Sequence, residues 1–429
     1  DVFLRELVSN AADACDKRRF LSIDDSDRPS LDADALRVRI KADKAARTRT
    51  LTLEDNGVGM TRDEIKNNLG RIAQSGTKTF MEALGSGDAD VSLIGQFCVG
   101  FYSAYLVADE VTVGAKSMTG GAAAEQLRWN SKTGEGYTIA LDASEPLDED
   151  AGGCGTRITL HLKEDCDEYL DEFKLRELLK RYSEFIGFPI ELYASKTTYE
   201  QVPDDEAEPP AEGEEPKMKS VPVTTEGYET MNLQKPIWVR SPRQVNESEY
   251  FEFYKSTVKA YDTPASFSHF ALEGQVQFRS VLFVPATLPF ELSRNMFDES
   301  SHGIKLYVKR VFINDRFEDL LPRWLTFIRG VVDSEDLPLN VGREILQKSR
   351  MLSIINKRLV RKCLDMFNEI AAKDDGTPEG EYAKFWSNFG KYLKVGIVEE
   401  PDYKDELAGL CRFWSTKSGD QYTSLADYV

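Results

Sequence analysis

Short runs of alternating apolar and polar residues, interleaved with helical stretches, set the first expectations for this chain. Residues 1 to 20 have helical composition and are largely apolar through the first four turns. Glu6, Asn10, Asp13 and Lys17 recur at i, i+4, i+7 and i+11 as one polar stripe. Such a stripe is either a solvent face or the wall of a pocket. Residues 36–40 and 49–54 are apolar at every other position, which predicts two strands that pair with each other. Thr61 to Ile72 reads as a helix opened by a capping box of Thr61 and Glu64. Residues 94–106 form a glycine-containing turn running into an apolar helix. Further strands are predicted at 110–113, 156–162 and 189–193, with a charged amphipathic helix at 171–182. Strands interspersed with helices predict an α/β layered domain over residues 1–198.

The pattern then breaks. From Glu200 to Glu215 the chain carries eight acidic residues, with prolines at 203, 209, 210 and 216. Such a segment buries too little apolar surface to fold, so residues 199–231 are expected to be an acidic disordered linker. A second α/β domain is expected over 232–429, with strands at 268–273, 276–284 and 304–313 and helices at 323–331 and 345–372. Between those helices an acidic, proline-bearing loop leads to Arg343 and Gln347, one helical turn apart.

Composition narrows the function classes. A net charge of −19 and a pI near 4.8 oppose broad nucleic-acid binding, which needs a basic footprint. No run of about 18 apolar residues is present, so no membrane span is expected. The six cysteines are scattered without paired spacing, and the three histidines fall in no metal-ligand pattern, which disfavours zinc and histidine chemistry. The chain opens at Asp1-Val2-Phe3 inside a helical pattern and stops at Asp427-Tyr428-Val429. It reads as a fragment entered mid-element.

The candidate chemistry centres on Asp55-Asn56-Gly57-Val58-Gly59-Met60, directly after the second strand. There the sheet fixes a carboxylate, and two glycines let the backbone turn and approach a ligand closely, although Asp-Asn-Gly is also an ordinary turn. The loop Gly95 to Gly100 precedes a helix, whose free N–H groups suit phosphate. In order, Glu6-xxx-Asn10-xx-Asp13, Asp55-x-Gly57-x-Gly59, Gly95-xx-Cys98-x-Gly100 and Gly155-Thr156 resemble the GHKL nucleotide-binding fold of gyrase, histidine kinases and the heat-shock-protein-90 chaperones. The match to the chaperones covers nearly the whole chain, including DNGVGMTRDEIKNNLGRIAQSGT, IGQFCVGFYSAYLVADEV and RGVVDSEDLPLNVGREILQKSR.

The resemblance implies an ATP-dependent chaperone that binds and hydrolyses ATP with Mg²⁺ to drive a clamp cycle on client proteins. It also implies co-chaperones and a homodimer in the full-length protein. Asp55 would accept a hydrogen bond from the adenine amino group, with Gly59 and Thr156 at the same ring edge, and Asn10 would ligate Mg²⁺. Glu6 would activate the water that attacks the γ-phosphate. Arg343 and Gln347 would reach that phosphate from the second domain. The backbone of Gln96, Phe97, Cys98, Val99, Gly100 and Phe101 would hold the phosphates. Asp13, Met60, Asn68, Leu69, Ser75 and Gly76 complete the implied nucleotide contacts, and residues 73–94 correspond to the lid over ATP.

Cys98 stands where the family has Gly, Gln74 where many members have Lys, and Gly342 where Ser is common. Cys98, together with the absence of the leading strand and helix and of the C-terminal dimerisation domain that the resemblance implies, motivates the alternative of a nucleotide-binding scaffold with little or no turnover. Phe290, Leu292, Met296 and Phe297 are either client contacts or local core. The implied location is the cytoplasm or an organelle lumen. The sequon Asn246-Glu247-Ser248 suits a lumenal relative, whereas the free cysteines suit a reducing compartment.

Overall fold

The computed structural model describes residues 1–23, 35–45, 48–70, 100–119, 124–143, 145–147, 153–203, 218–258, 260, 262–274, 276–297, 303–315, 319–337 and 350–429. The chain divides into two compact units, Asp1–Gln234 and Lys235–Val429.

The first unit begins with helix α1 (Val2–Ile23) and the strands β1 (Val38–Asp43) and β2 (Thr50–Asp55). As their alternation requires, β1 and β2 pair antiparallel, Val38 opposite Asp55. Leu51 and Leu53 are buried, while Thr50, Thr52 and Glu54 lie on the more open face. Helix α2 (Arg62–Asn68) follows, and its N-cap Thr61 and Glu64 make the predicted capping box. A 3₁₀ helix (Gly100–Leu106) leads into β3 (Ala108–Lys116), β4 (Leu127–Lys132), β5 (Tyr137–Leu141) and β6 (Gly155–Leu162). After these come α3 (Glu172–Tyr182), capped by Asp171, and a long hairpin of β7 (Ile190–Pro203) and β8 (Met218–Thr230).

These strands form one eight-stranded sheet in the order β5-β4-β3-β6-β2-β1-β7-β8. The β1–β7 pair is parallel and the other neighbours are antiparallel. Its inner face packs Val38, Ile40, Leu53, Val111, Val113 and Leu160 against Phe3, Leu4, Leu7 and Val8 of α1 and Leu175 and Leu179 of α3. Each such fully buried side chain contributes about 1.5–3 kcal/mol. The outer face is polar, with ion pairs such as Arg157–Glu54 at 2.6 Å and Arg39–Glu191 at 3.0 Å. The expected α/β sandwich is the observed architecture.

Residues 218–230, assigned by composition to the linker, instead form β8 and pair with β7 along its full length. Composition misjudges them because a strand at a sheet edge is wetted on both faces and needs few apolar side chains. The acidic run 204–217 lies outside the described residues.

The second unit contains α4 (Glu247–Val258), β9 (Ser266–Leu272), β10 (Phe278–Val284), α5 (Phe290–Arg294), β11 (Ile304–Val308), β12 (Val311–Asn314), β13 (Arg329–Ser334), α6 (Arg350–Ala371) and α7 (Glu381–Glu399). Two short helices, Lys404–Gly409 and Leu425–Tyr428, follow. Its five-stranded sheet has the order β12-β11-β13-β10-β9. The single strand expected at 304–313 is two, because Lys309 and Arg310 take positive φ and reverse the chain. The helix expected at 323–331 is a 3₁₀ turn (Arg323–Leu325) followed by β13. Every residue of β13 is buried, so its apolar run lacks the alternation that marks a half-exposed strand. Helices α6 and α7 supply Leu359, Cys363, Phe367, Phe385, Phe389 and Leu393 to the core, where Phe327 stacks on Phe389 at 4.3 Å. Leu292 is fully buried and Met296 packs on this core, whereas Phe290 is 67% exposed.

Candidate functional site

The site grows from α1, whose two faces have different duties. One carries the core residues named above. The other carries Glu6 and Asp13, only 5% and 2% exposed, and the half-buried Asn10. The polar stripe is therefore not a solvent face. Burial lowers the Lys17 pKa, opposed by the charges of Asp13 and of Glu64 on α2, so the stripe's last member faces α2.

At its first turns α1 meets the start of the 3₁₀ helix. A Cβ on Gly100 would lie 2.5 Å from Glu6 Oε2, so a side chain there would push the carboxylate from its present position. The other oxygen, Oε1, accepts Arg5 Nε at 3.3 Å. Two turns on, α1 meets the loop after β2, where Val58 N donates to Ala14 O at 3.1 Å. From Glu6 to Ala14 the helix rises about 12 Å.

Asp55 ends β2 opposite Thr156 of β6 and is 4% exposed. Its Oδ1 accepts Gly57 N at 2.9 Å. Burial lifts the carboxyl from the ordinary 3.8 to about 7, and the nearby Glu54 adds to the rise. The N–H groups of Gly57 and Thr156 and the charge of Arg18 pull it back. An ionised carboxylate offers only acceptors, so a ligand that completes its shell must donate. Gly59 takes φ 64°, and a Cβ there would sit 1.9 Å from Lys116 O, so the turn requires glycine.

Leu69 closes α2 and is buried, with Asn68 beside it, and the Leu69 carbonyl accepts Tyr102 OH at 3.0 Å from the 3₁₀ helix. Phe101 is buried edge-on to Trp129, 5.7 Å between centroids. Met60 is partly buried against the core. The structure thus places Glu6, Asn10, Asp13, Asp55, Gly59, Met60, Asn68, Leu69, Gly100, Phe101 and Thr156 on α1 and the elements around it. Ser75, Gly76, Gln96, Phe97, Cys98, Val99, Arg343 and Gln347 lie outside the described residues.

Sequence reading passed over Arg5, Arg18 and Asn56, all buried here. Charged residues inside an apolar helical stretch were the available signal for Arg5. The amide of Asn10 makes no hydrogen bond to a described residue. Among the described residues no group of three or more His, Cys, Asp or Glu could hold a metal. The donor set therefore fits Mg²⁺ only as one protein oxygen completed by phosphates and water. Also among the described residues, no helix is long and apolar enough to cross a membrane.

Residues 22–152 match the family model described as histidine kinase-, DNA gyrase B- and HSP90-like ATPase. Residues 168–429 match the model of the Hsp90 protein family. The whole chain aligns with an endoplasmin homolog of Hordeum vulgare at 44% identity over 466 residues, covering 56% of that protein. It aligns with heat shock protein 90-5, chloroplastic, of Arabidopsis thaliana at 43% (54% covered) and with chaperone protein HtpG of Myxococcus xanthus at 44% (60% covered). The chain belongs to the Hsp90 family of chaperones and carries its ATPase-type domain. It spans somewhat more than half the length of these relatives.

Proposed function

We propose that the chain binds ATP·Mg²⁺ along α1 and, as part of the whole protein, hydrolyses it to drive a clamp cycle on client proteins. The observation that carries this reading is the pairing of two ends of one helix with two different loops. Asp55 waits where α1 passes the glycine turn, and Glu6 faces Gly100 at the start of the 3₁₀ helix. Asp55 accepts the purine amino group, and Thr156 and Gly59 bound the ring edge. Asn10 offers its amide oxygen to Mg²⁺, which supplies charge neutralisation for the phosphates when bound.

Glu6 orients a water and takes its proton, a role worth about 10²–10⁴ in rate. The Arg5 contact holds the Glu6 carboxylate in one orientation while it waits. Arg343 and Gln347 belong to the second domain and complete the phosphate end. Cationic help for developing charge is a recurrent device in phosphoryl transfer. The exposed Phe290 ring suits a client contact, and Leu292 drops out as core. A place in the cytoplasm or an organelle lumen accords with relatives named endoplasmin, chloroplastic and HtpG; co-chaperones and a homodimer in the full-length protein belong to the same proposal.

Calorimetry with ATP·Mg²⁺ tests the pocket, and steady-state ATPase on the full-length protein, with Glu6→Ala as control, tests turnover. Binding without Glu6-dependent turnover would favour a nucleotide-regulated scaffold; absence of binding would refute the reading.

A further inference from the structure

The peptide group between Asn56 and Gly57 is held from both ends. Its N–H, on Gly57, donates to Asp55 Oδ1 at 2.9 Å. Its carbonyl, on Asn56, accepts Arg18 Nη1 at 2.5 Å. Arg18 is 2% exposed and sits one turn beyond Ala14 on α1. A cation on the oxygen and an anion on the N–H polarise one peptide in the same sense, which strengthens both bonds. They also oppose a flip of this Asn-Gly peptide, which would turn its carbonyl toward the carboxylate.

The Asn56 side chain, 3% exposed, adds the second restraint. Its Oδ1 accepts Arg37 N at 2.7 Å and its Nδ2 donates to Ala35 O at 2.6 Å, which ties the loop to the segment entering β1.

We propose that Arg18 and Asn56 are positioning residues that set the selectivity of this pocket for a 6-aminopurine, acting through the orientation of Asp55. The inference rests on the reading of Asp55 as the base-recognising group. With the peptide fixed, Oδ1 holds the Gly57 N–H, the Thr156 N–H also acts on the carboxyl, and the acceptor capacity that remains is presented to the exocyclic amine. A 6-oxopurine places an acceptor against an acceptor and is rejected. With the peptide free, the carboxylate rotates and the discrimination is lost, while contacts to the phosphates persist.

The test is calorimetric binding of ADP and IDP to the full chain and to Arg18→Met, which keeps side-chain length but removes charge and donor. The expected result is ADP weakened about tenfold and IDP changed less than about twofold, so the selectivity ratio falls. Arg18→Lys, which restores charge and a donor, recovers most of the ratio. The groups whose charge acts at Asp55 are Glu54, Cys15 and Arg18. Arg18→Met therefore also moves the pH midpoint of ADP binding upward.

Asn56→Asp keeps the acceptor for Arg37 N and loses the donor to Ala35 O. It lowers the same ratio and serves if Arg18→Met does not fold. Equal weakening of both nucleotides, the mark of a merely structural role, or an unchanged ratio in either variant, would overturn the proposal. A lack of ADP preference in the unaltered chain would instead refute the base-recognising role of Asp55.

Discussion

Replacing Asp55 by Asn should stabilise the nucleotide-free protein at pH 8 while removing its preference for adenine. The Asp55 carboxyl titrates at about 7 in the fold, against 3.8 ordinarily. Between those values the native state keeps a proton that the unfolded chain has released. The contribution of this group to stability is therefore greatest at acid pH and falls as pH rises toward 7, at about 1.4 kcal/mol per unit. From pH 5 to pH 8 the wild type loses about 3 kcal/mol by this route. The Asn variant has no such proton and loses none of it, while its amide oxygen still accepts the Gly57 N–H.

Scanning calorimetry without nucleotide, following the transition of the first unit at both pH values, reads the difference. The melting-temperature gap between variant and wild type should widen by about 6–12 °C from pH 5 to pH 8. Adenine-nucleotide binding runs the other way. The carboxylate is the accepting form, so wild-type affinity rises as pH passes through 7, and the variant shows no such rise. Parallel pH–stability curves for the two proteins would refute the argument, since they would mean that Asp55 carries no buried charge at neutral pH.

Glu6→Ala should lower ATPase turnover of the full-length protein by about 10²–10⁴ with nucleotide affinity retained, read by steady-state kinetics beside calorimetry. Gly59→Ala forces a Cβ onto Lys116 O at positive φ and should cost the first unit at least about 2 kcal/mol, together with nucleotide binding, measured by thermal melts and titration. Asp333→Ala strands the buried Trp238 Nε1 and Arg310 N, which its carboxylate accepts at 2.8 and 3.1 Å. It should destabilise the second unit by about 2–4 kcal/mol in urea denaturation and leave ADP binding to the first unit unchanged.

What the sequence disclosed was what neighbouring residues decide together. The β1–β2 pair and the Thr61–Glu64 capping box depend on contacts within a few positions, and both were legible. The polar stripe of α1 was not, because periodicity cannot tell water from a pocket; its burial comes from α2 and the 3₁₀ helix, encoded far along the chain. Arg18 lies in the charged run Asp16-Lys17-Arg18-Arg19 near the end of the predicted helix, and its contact with the Asn56 carbonyl after β2 depends on a segment far along the chain. The strand β13 was misread as helix for the opposite reason, since full burial erased the alternation that identifies strands. The β4–β5 pair was missed although Leu127, Trp129 and Ser131 alternate with Arg128, Asn130 and Lys132, because that run carries so little apolar weight.

The β7–β8 hairpin changes what the acidic run means for the polypeptide as a tether. Pro203 and Met218 face each other in the last register of the hairpin, so the acidic run departs from and returns to the same end of one ribbon. It does not bridge the two compact units; the chain passes from one to the other at Gln234–Lys235, a few residues beyond the end of β8. Lengthening the acidic run would add only the slowly growing entropy of a larger loop. The covalent leash between the units would be untouched by even a large insertion there, whereas a single deletion after β8 would shorten it.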